Sequence, residues 1–567
     1  MVNLDLIGIV QRPAVWMPAV LIVAYLIHQL FFKPTNLPDL PVLNARKGEW
    51  FPLLRASWRN ALDFKSACKQ AYSQYHDEAC IIPLAGSGNM IMLPAKDTRF
   101  VTDQPEHVLS LHESAMEGLQ CDYTMEKRLV QQPVHQHLIT TTLTQQIGNL
   151  VPDLAEETAL SLDALWGGGG ASSGDDDDGW REVCVYKTLQ QSIGRVTNRI
   201  FVGLPVCRDP DLVRLAVAFA QDVPAASVLL RLLPRALRPL AGPLLTIPNR
   251  LHERAYLRVL LPTVERRLRE YDERHGRAGS GTSGPGKQEA CSSSSPSPLL
   301  GPEPNDLLQW MIRQARESGD PYLCSARTLA LRVLVLNFAS IHTSSFAITH
   351  AVLDLVSSRP GHMDELRDEV RSVLARHGGA WDKRAVAEME KLDSAFRESQ
   401  RLNSFVTVGL GRLVVAEGGL TTPGGVHIAK GNSVCVPGYA THHDPDIYPG
   451  ADEFRPFRFS EKRRVDTREG DGGDDGGGGD KEAAQASYVS RARQQWATTS
   501  NEFLGFGHGR AACPGRFFAA TELKLMLAHL ILHYDFEMLE SRPRNVWFAV
   551  NRVPPMEQTI RIRRRKE

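Results

Sequence analysis

Apolar positions along the chain fall into long helical runs separated by short strand-like stretches, with one uninterrupted apolar block near the start. Residues 14–32 (AVWMPAVLIVAYLIHQLFF) carry no formal charge and match the length of a bilayer core. The block ends in Phe31-Phe32-Lys33-Pro34, unlike the small-residue site of a cleaved leader. Residues 1–33 are therefore expected to form one membrane anchor. Lys33, Arg46 and Lys47 behind the block favour a cytosolic body. Residues 34–44 contain Pro34, Pro38 and Pro41 and predict a stiff hinge, because proline fixes φ and lacks a backbone donor.

From residue 45 to 567 the pattern predicts one large body, mainly α with a small β region. Ile81–Leu84 and Met90–Leu93 flank Gly86-Ser87-Gly88-Asn89 and read as a hairpin. Thr140–Leu162 reads as a helix broken near Pro152, residues 180–275 as helical, and 326–357 as the longest helix outside the anchor. Arg332, Asn337, His342 and His350 argue against that helix lying in lipid. Residues 404–440 and 546–562 read as strands and turns, and 517–533 as an apolar helix. Low-complexity inserts near 167–179, 278–305 and 467–486 lack the apolar content to pack. Between Leu229 and Pro248, leucines alternate with Arg231, Arg235 and Arg238; a membrane-facing surface and a packed helix–loop–helix both fit.

Composition narrows the function. The formal net charge is zero, which gives no footprint for nucleic acid. Nine cysteines without a C-x-x-C pair, in so long a chain, do not read as a disulfide framework. His135–His137 and His442-His443 lack partners at ligand spacing and read as surface or core histidines. The Asp175–Asp178 run lacks the alternating ligands of a calcium loop.

The chemistry concentrates in Phe506-Gly507-His508-Gly509-Arg510-Ala511-Ala512-Cys513-Pro514-Gly515, just before the 517–533 helix. The first amides of a helix have no intrahelical partner and favour a thiolate, which makes Cys513 the candidate metal ligand. Gly507, Gly509 and Gly515 would let the backbone approach a flat ligand. Upstream, Ala339-Ser340-Ile341-His342-Thr343-Ser344 sets small residues beside hydroxyls, a face on which a flat cofactor can rest. Glu398 and Arg401 share a helix face at i, i+3, and Phe454-Arg455-Pro456-Phe457-Arg458-Phe459 follows.

Together these stretches resemble the cytochrome P450 family. Phe506, Gly509, Cys513 and Gly515 match F-x-x-G-x-R-x-C-x-G, with Ala511 where a basic residue is usual and Arg510 one step earlier. Ala339, Thr343 and Ser344 match A/G-G-x-D/E-T-T/S, with Ser340 and His342 replacing the glycine and the acid. Glu398 and Arg401 match E-x-x-R, Arg458 falls in F-x-P-x-R-F, and the four signals run in the family's order over 339–515.

The resemblance implies the cytochrome P450 fold behind one transmembrane helix, and haem b with Cys513 as axial thiolate. Phe506, Gly507, Gly509, Arg510, Gly515 and Arg412 would surround the haem, Thr343 and His342 would deliver protons, and Glu398, Arg401 and Arg458 would form a buried ion triad. It also implies O2 activation with electrons from NADPH through a membrane-bound reductase, at the endoplasmic reticulum, with the body facing the cytosol. The motif wording is similar to a fungal group that includes ent-kaurene-oxidase-like enzymes. That similarity implies a lipophilic substrate of terpenoid, indole-terpenoid or polyketide type in secondary metabolism. Ser340 and His342 leave open a haem-thiolate isomerase or dehydratase, and a non-enzymatic haem-binding membrane protein is the third reading. Phe405, Val406 and Val408 either face substrate or pack in the core.

Overall fold

The computed structural model describes residues 36–167, 179–276, 301–463 and 492–566. The expected anchor at 14–32 and the insert at 467–486 lie outside these residues, as do most of the other two inserts.

The body is built on α6 (Ala326–Val356). Its residues are apolar around almost the whole circumference, so burial on one face cannot satisfy it and helices pack on all sides. Its first half shares a core with α2 (Thr144–Trp166), α3 (Val185–Phe201), α4 (Pro210–Leu232) and α5 (Ile247–His275), through Leu154, Ile200, Phe219 and Leu260 against Leu334 and Ile341. Its second half packs on α7 (Gly361–Arg376), α9 (Glu390–Leu402) and α10 (Arg516–His533), through Val370, Phe396 and Met526 against Val352 and Val356. α8 (Lys383–Glu388) sits between α7 and α9 in sequence and is N-capped by Asp382, whose carboxylate accepts from the Ala385 amide. Near the front of the chain, α1 (Pro52–Leu62) packs on the small β region.

Pro152 does not break its helix, contrary to the expectation. A π-turn at Ile139–Leu143 feeds directly into α2, which runs through Pro152 to Trp166. The carbonyl that the ring must avoid belongs to residue i−4, here Gly148, and Ile147, Leu150, Val151 and Leu154 hold the helix against the core.

The β region holds β1 (Cys80–Leu84), β2 (Gly88–Met92), β3 (Leu109–Ser110), β4 (Trp180–Cys184), β5 (Gly409–Val414), β6 (Leu420–Thr421), β7 (His427–Ile428), β8 (Ser433–Val436), β9 (Tyr534–Phe536), β10 (Val546–Phe548), β11 (Asn551–Val553) and β12 (Thr559–Arg564). The main sheet has the order β1-β2-β8-β5-β3. The predicted hairpin is its edge, with Ile81 opposite Ile91 and Leu84 opposite Gly88. β12 pairs with β4 and β9, so the last strand staples the start of α3 to the end of α10.

A buried ion triad fixes the loops behind the cysteine. Glu398 Oε2 accepts from Arg401 Nε at 2.8 Å, Oε1 from Arg401 Nη2 at 2.8 Å, and Arg458 Nε reaches both oxygens at 3.0 and 3.1 Å. The guanidinium hydrogens left over are spent on backbone carbonyls. Arg401 Nη1 donates to His442 and Ala451, and Arg458 Nη1 and Nη2 donate to Pro449 and Gly450. One carboxylate therefore sets the path of residues 442–458 through two cations. From the same helix, Gln400 accepts from Trp496 Nε1 at 2.7 Å and donates to Gly505 O at 3.2 Å. Trp496 stacks on Phe396 at 4.4 Å and leans on Phe506 at 5.5 Å, which carries the order of α9 into the cysteine loop.

Glu398→Ala would leave two guanidinium groups buried without their anion, a loss on the order of 3–5 kcal/mol. Thermal unfolding is expected to show a collapse of the folded protein for this variant. Removing the exposed Glu417 partner of Lys430 should cost less than about 1 kcal/mol.

Candidate functional site

The cysteine loop is shaped by two left-handed glycines, Gly507 (φ 69°) and Gly509 (φ 71°). A Cβ on Gly509 would also meet Thr102 Cβ at 2.9 Å, so no other residue fits there without movement. The turn is closed by Cys513 N donating to Phe506 O at 2.8 Å and Gly507 N to Leu504 O at 2.9 Å. His442 anchors its base: Nε2 accepts from Leu504 N at 2.9 Å, which gives that histidine a core role. His135 is likewise buried and bonded, with Nδ1 facing Arg332 Nη1 at 3.1 Å.

Cys513 keeps exposed surface, yet burial pushes its thiol pKa up. Both hold when the sulfur faces an internal cleft instead of open solvent. The Gly515 and Arg516 backbone and the Arg516 charge pull the other way and lose.

α6 shows the matching exception. Ala339 and Thr343, one turn apart, are exposed in the middle of a helix whose flanking turns are buried. Ile341 shares a core cluster with Phe518 of α10, and Ala347 packs on the cluster holding Ala520 and Phe506. That crossing puts the exposed Ala339–Thr343 face and the cysteine loop on neighbouring elements. The Thr343 hydroxyl donates back to its own helix, lying 2.9 Å from Ala339 O and 3.2 Å from Ser340 O, and its lone pairs stay available.

His342 is not joined to Thr343 by a hydrogen bond among the described residues. Its Nδ1 lies 2.8 Å from Tyr186 Oη and 3.0 Å from Gln190 Nε2, and Gln190 also donates to Tyr186 Oη at 2.8 Å. Two donors converge on Nδ1, which assigns the proton to Nε2. Nε2 is buried, and the Val217 backbone is a hydrogen-bond partner of the ring that pulls its pKa up. Burial lowers the imidazole pKa, so the ring is neutral at physiological pH.

Arg412, on β5, is buried and among the described residues makes a single side-chain hydrogen bond, to Gly411 O at 2.9 Å. Burial lowers its pKa, and Glu106 is the charge that opposes this. Arg510 is exposed. The candidates Phe405, Val406 and Val408 divide: Val406 is 49 % exposed, Phe405 is half-buried against Phe346 at 5.3 Å, and Val408 packs in the core with Phe64 and Tyr439.

Comparison with known proteins decides the family. The Cytochrome P450 family model matches residues 265–552. Cytochrome P450 monooxygenase 71 of Postia placenta is 31% identical over 513 residues, 90% of each chain. Cytochrome P450 monooxygenase astC of Aspergillus terreus is 29% identical over 562 residues, 97% of each chain. The chain belongs to the cytochrome P450 family. It is a monooxygenase, an oxidoreductase that incorporates molecular oxygen. The solved structure of retinoic acid bound cyanobacterial CYP120A1 superposes with a TM-score of 0.60 at 19% identity, covering 93% of this P450 and 99% of that chain, and shows the shared fold.

Haem is the group this P450 fold implies, and the residues present fit it. Among the described residues no cluster of three or more His, Cys, Asp or Glu side chains is placed to hold a metal. Iron bound through one sulfur must bring its other ligands with it, as a porphyrin does. A Cβ at Gly515 would meet open space, and the buried, donor-rich Arg412 suits a carboxylate.

Sequence reasoning missed the residues that hold these groups. Tyr186 and Gln190 lie more than 150 positions from His342, and nothing local marks them. It also passed over Glu522, which sits on α10 beyond the cysteine. Glu522 Oε1 accepts from Thr197 at 2.7 Å, Oε2 is buried without a partner among the described residues, and burial pushes the carboxyl up to about 8. A folded pKa above the unfolded value gives stability that is complete below the unfolded pKa and is lost as pH rises towards 8. Glu522→Gln is expected to flatten the fall in melting temperature between about pH 4.5 and 8 and to raise it at pH 8; parallel unfolding curves for wild type and variant would contradict this.

Proposed function

We propose that this P450 hydroxylates or oxidises a lipophilic small molecule of fungal secondary metabolism, of terpenoid, indole-terpenoid or polyketide type. Its electrons come from NADPH through a P450 reductase. One observation carries the reading: the exposed Cys513, just before α10, and the exposed Ala339–Thr343 turn of the otherwise buried α6 lie on elements that pack together. The apolar residues beside them, Phe346, Phe405 and the exposed Val406, support a lipophilic substrate.

In this proposal the Cys513 sulfur would ligate the haem iron, in the loop formed by Phe506, Gly507, Gly509, Arg510 and Gly515, and Arg412 would pair with a haem carboxylate. Bound haem supplies oxygen activation, and a thiolate ligand favours O–O cleavage. Thr343 Oγ1 accepts from a water and holds the proton it carries, because its own hydrogen is engaged with Ala339 and Ser340 carbonyls. His342 holds a proton on Nε2 and receives Tyr186 and Gln190 at Nδ1, which makes any relay through it run by Nε2 alone. The Glu398–Arg401–Arg458 triad orders the loops and takes no chemical step.

The same proposal places the body on the cytosolic face of the endoplasmic reticulum, held by a single anchor at residues 1–33. Two patches support a membrane-facing side. Leu54, Trp58 and Leu62 repeat every four residues along α1, Trp50 lies just before it, and all four are exposed. Leu229, Leu240, Leu244 and Leu251 are exposed around the α4–α5 junction. The patches meet at the hairpin turn, where Gly86 faces Leu232. Residues 229–248 thus pack as a helical connection on one side and remain apolar on the other. By length and composition α4 and α6 also suffice to cross a membrane, but α6 is spent on the core.

Deleting the gene in its host and identifying the accumulating intermediate is expected to yield a lipophilic compound. Purified enzyme with reductase should convert that compound with one atom of labelled O2 entering the product, and turnover without O2 or NADPH would favour the isomerase or dehydratase reading. Thr343→Ala is expected to keep NADPH consumption while product per NADPH falls on the order of tenfold or more. In vesicle flotation, a protein lacking residues 1–33 should stay membrane-associated, and Trp50→Ser with Trp58→Ser should release it.

A further inference from the structure

The turn of α6 that carries Thr343 is weakly supported by its own helix. Ser340, Thr343 and Ser345 turn their hydroxyls back onto carbonyls of Asn337, of Ala339 and Ser340, and of Ile341. Such back-bonding weakens and bends a helix. Ala339 and Thr343 are exposed on the cleft side, so support for the turn must come from behind it.

The back of the turn is the face of Phe338, Ile341, His342 and Ser345, at i, i+3, i+4 and i+7. There α3, α4 and α6 meet. A Cβ on Gly194 of α3 would stand 2.5 Å from Val213 of α4 and 3.8 Å from Ile341. One helical turn away on α3 and α4, His342 joins the same three helices through polar contacts. Tyr186 Oη and Gln190 Nε2 lie 2.8 and 3.0 Å from Nδ1, and Val217, one turn after Val213, presents its backbone to the ring. Tyr186 and Gln190 are 3 % and 7 % exposed, and Gln190 holds Tyr186 by a 2.8 Å bond to Oη. Tyr186 also stacks at 5.6 Å on Phe346, one turn past His342. Before the exposed turn, Asn337 is tied to Asn198 of α3 at 2.8 and 3.1 Å and to Tyr256 of α5 at 3.2 Å. Two buried polar ties therefore bracket Thr343. With Nδ1 accepting and the Val217 backbone facing the other nitrogen, the ring has no free end to turn towards the cleft. Burial and Val217 are the influences on its ionisation, and Tyr186 is the titratable group that faces it.

We propose that Tyr186 and Gln190 are positioning residues of the oxygenation site: through His342 they pin the α6 turn to α3 and α4 and so place Thr343, with the imidazole as a strut and not a proton carrier. The proposal rests on the reading of Thr343 as the polar group beside bound haem. Proton delivery then falls to Thr343 and the water it holds.

The carbon monoxide complex of the reduced full chain tests the strut, because its C–O stretching band reads the polar groups beside the iron and needs no substrate. Thr343→Ala is expected to shift the band. Tyr186→Phe with Gln190→Leu should shift or split it too, although neither residue is on α6. His342→Gln keeps an acceptor for α3 and a donor for Val217 but is no proton carrier; its band is expected to match wild type. His342→Leu removes both contacts and should split the band; if it fails to fold, the Tyr186→Phe, Gln190→Leu pair decides. With isotopically labelled histidine, the nitrogen resonances lost in His342→Gln are expected to show a protonated Nε2 and a bare Nδ1 throughout about pH 6 to 8. A His342→Gln band displaced as far as that of His342→Leu would overturn the proposal. So would an unmoved band in folded Tyr186→Phe, Gln190→Leu protein, or a His342 ring that takes up a second proton in that range. An unmoved band in Thr343→Ala would overturn the placement of Thr343 and the proposal with it. A wild-type chain that forms no carbon monoxide complex would contradict the haem reading instead, and the ring resonances would still decide whether His342 is a strut.

Discussion

The cysteine side of the molecule depends on a single buried negative charge. Glu398 is fully enclosed, and both of its oxygens are taken by Arg401 and Arg458. Such a cluster adds little net stability over an apolar core, because desolvating three charges cancels most of their attraction. Its value is directional. Two planar guanidinium forks, once fixed by one carboxylate, present their remaining hydrogens at set angles to carbonyls of residues 442–453. Those loops carry His442, which in turn holds Leu504 and the base of the cysteine turn. The sulfur is thus positioned through a chain of polar contacts from α9, with Gln400, Trp496 and Phe506 as a parallel route.

Much of this was legible in the sequence. Glu398 and Arg401 had to share a helix face, the glycines around Cys513 had to permit a tight turn, and both hold: Gly507 and Gly509 are left-handed. The hairpin at Ile81–Met92 follows from alternating apolar residues around a glycine turn. What the sequence hid was contact between distant segments. Pro152 looks like a helix end until the packing of Leu150 and Leu154 is seen. His342 has two free ring nitrogens on paper, and Tyr186 and Gln190 occupy Nδ1. Lys524 and Asp393 are ordinary helix residues until α9 and α10 face each other. Local pattern fixes where a residue sits on its own element, and the partner across the core decides its charge and its use.

The central helix shows the tension between packing and chemistry. α6 is apolar enough to cross a membrane, and its surface is consumed by other helices. Ala339 and Thr343 are left uncovered, in a stretch where the family's usual glycine and acid have become Ser340 and His342. The histidine is turned into the α3 interface and stacks near Phe346, at 6.1 Å, as part of an aromatic cluster with Tyr186. The exchange trades a charged side chain for a neutral, hydrogen-bonded one, beside the exposed Thr343.

The account stands on Cys513 as the sulfur ligand of a haem iron. The most direct measurement is the carbon monoxide difference spectrum of the reduced, purified full chain. The red-shifted Soret band of a thiolate-ligated haem is expected, and it should be lost in Cys513→Ala. A haem-loaded protein without that band, or a Cys513→Ala protein that retains it, would contradict the account.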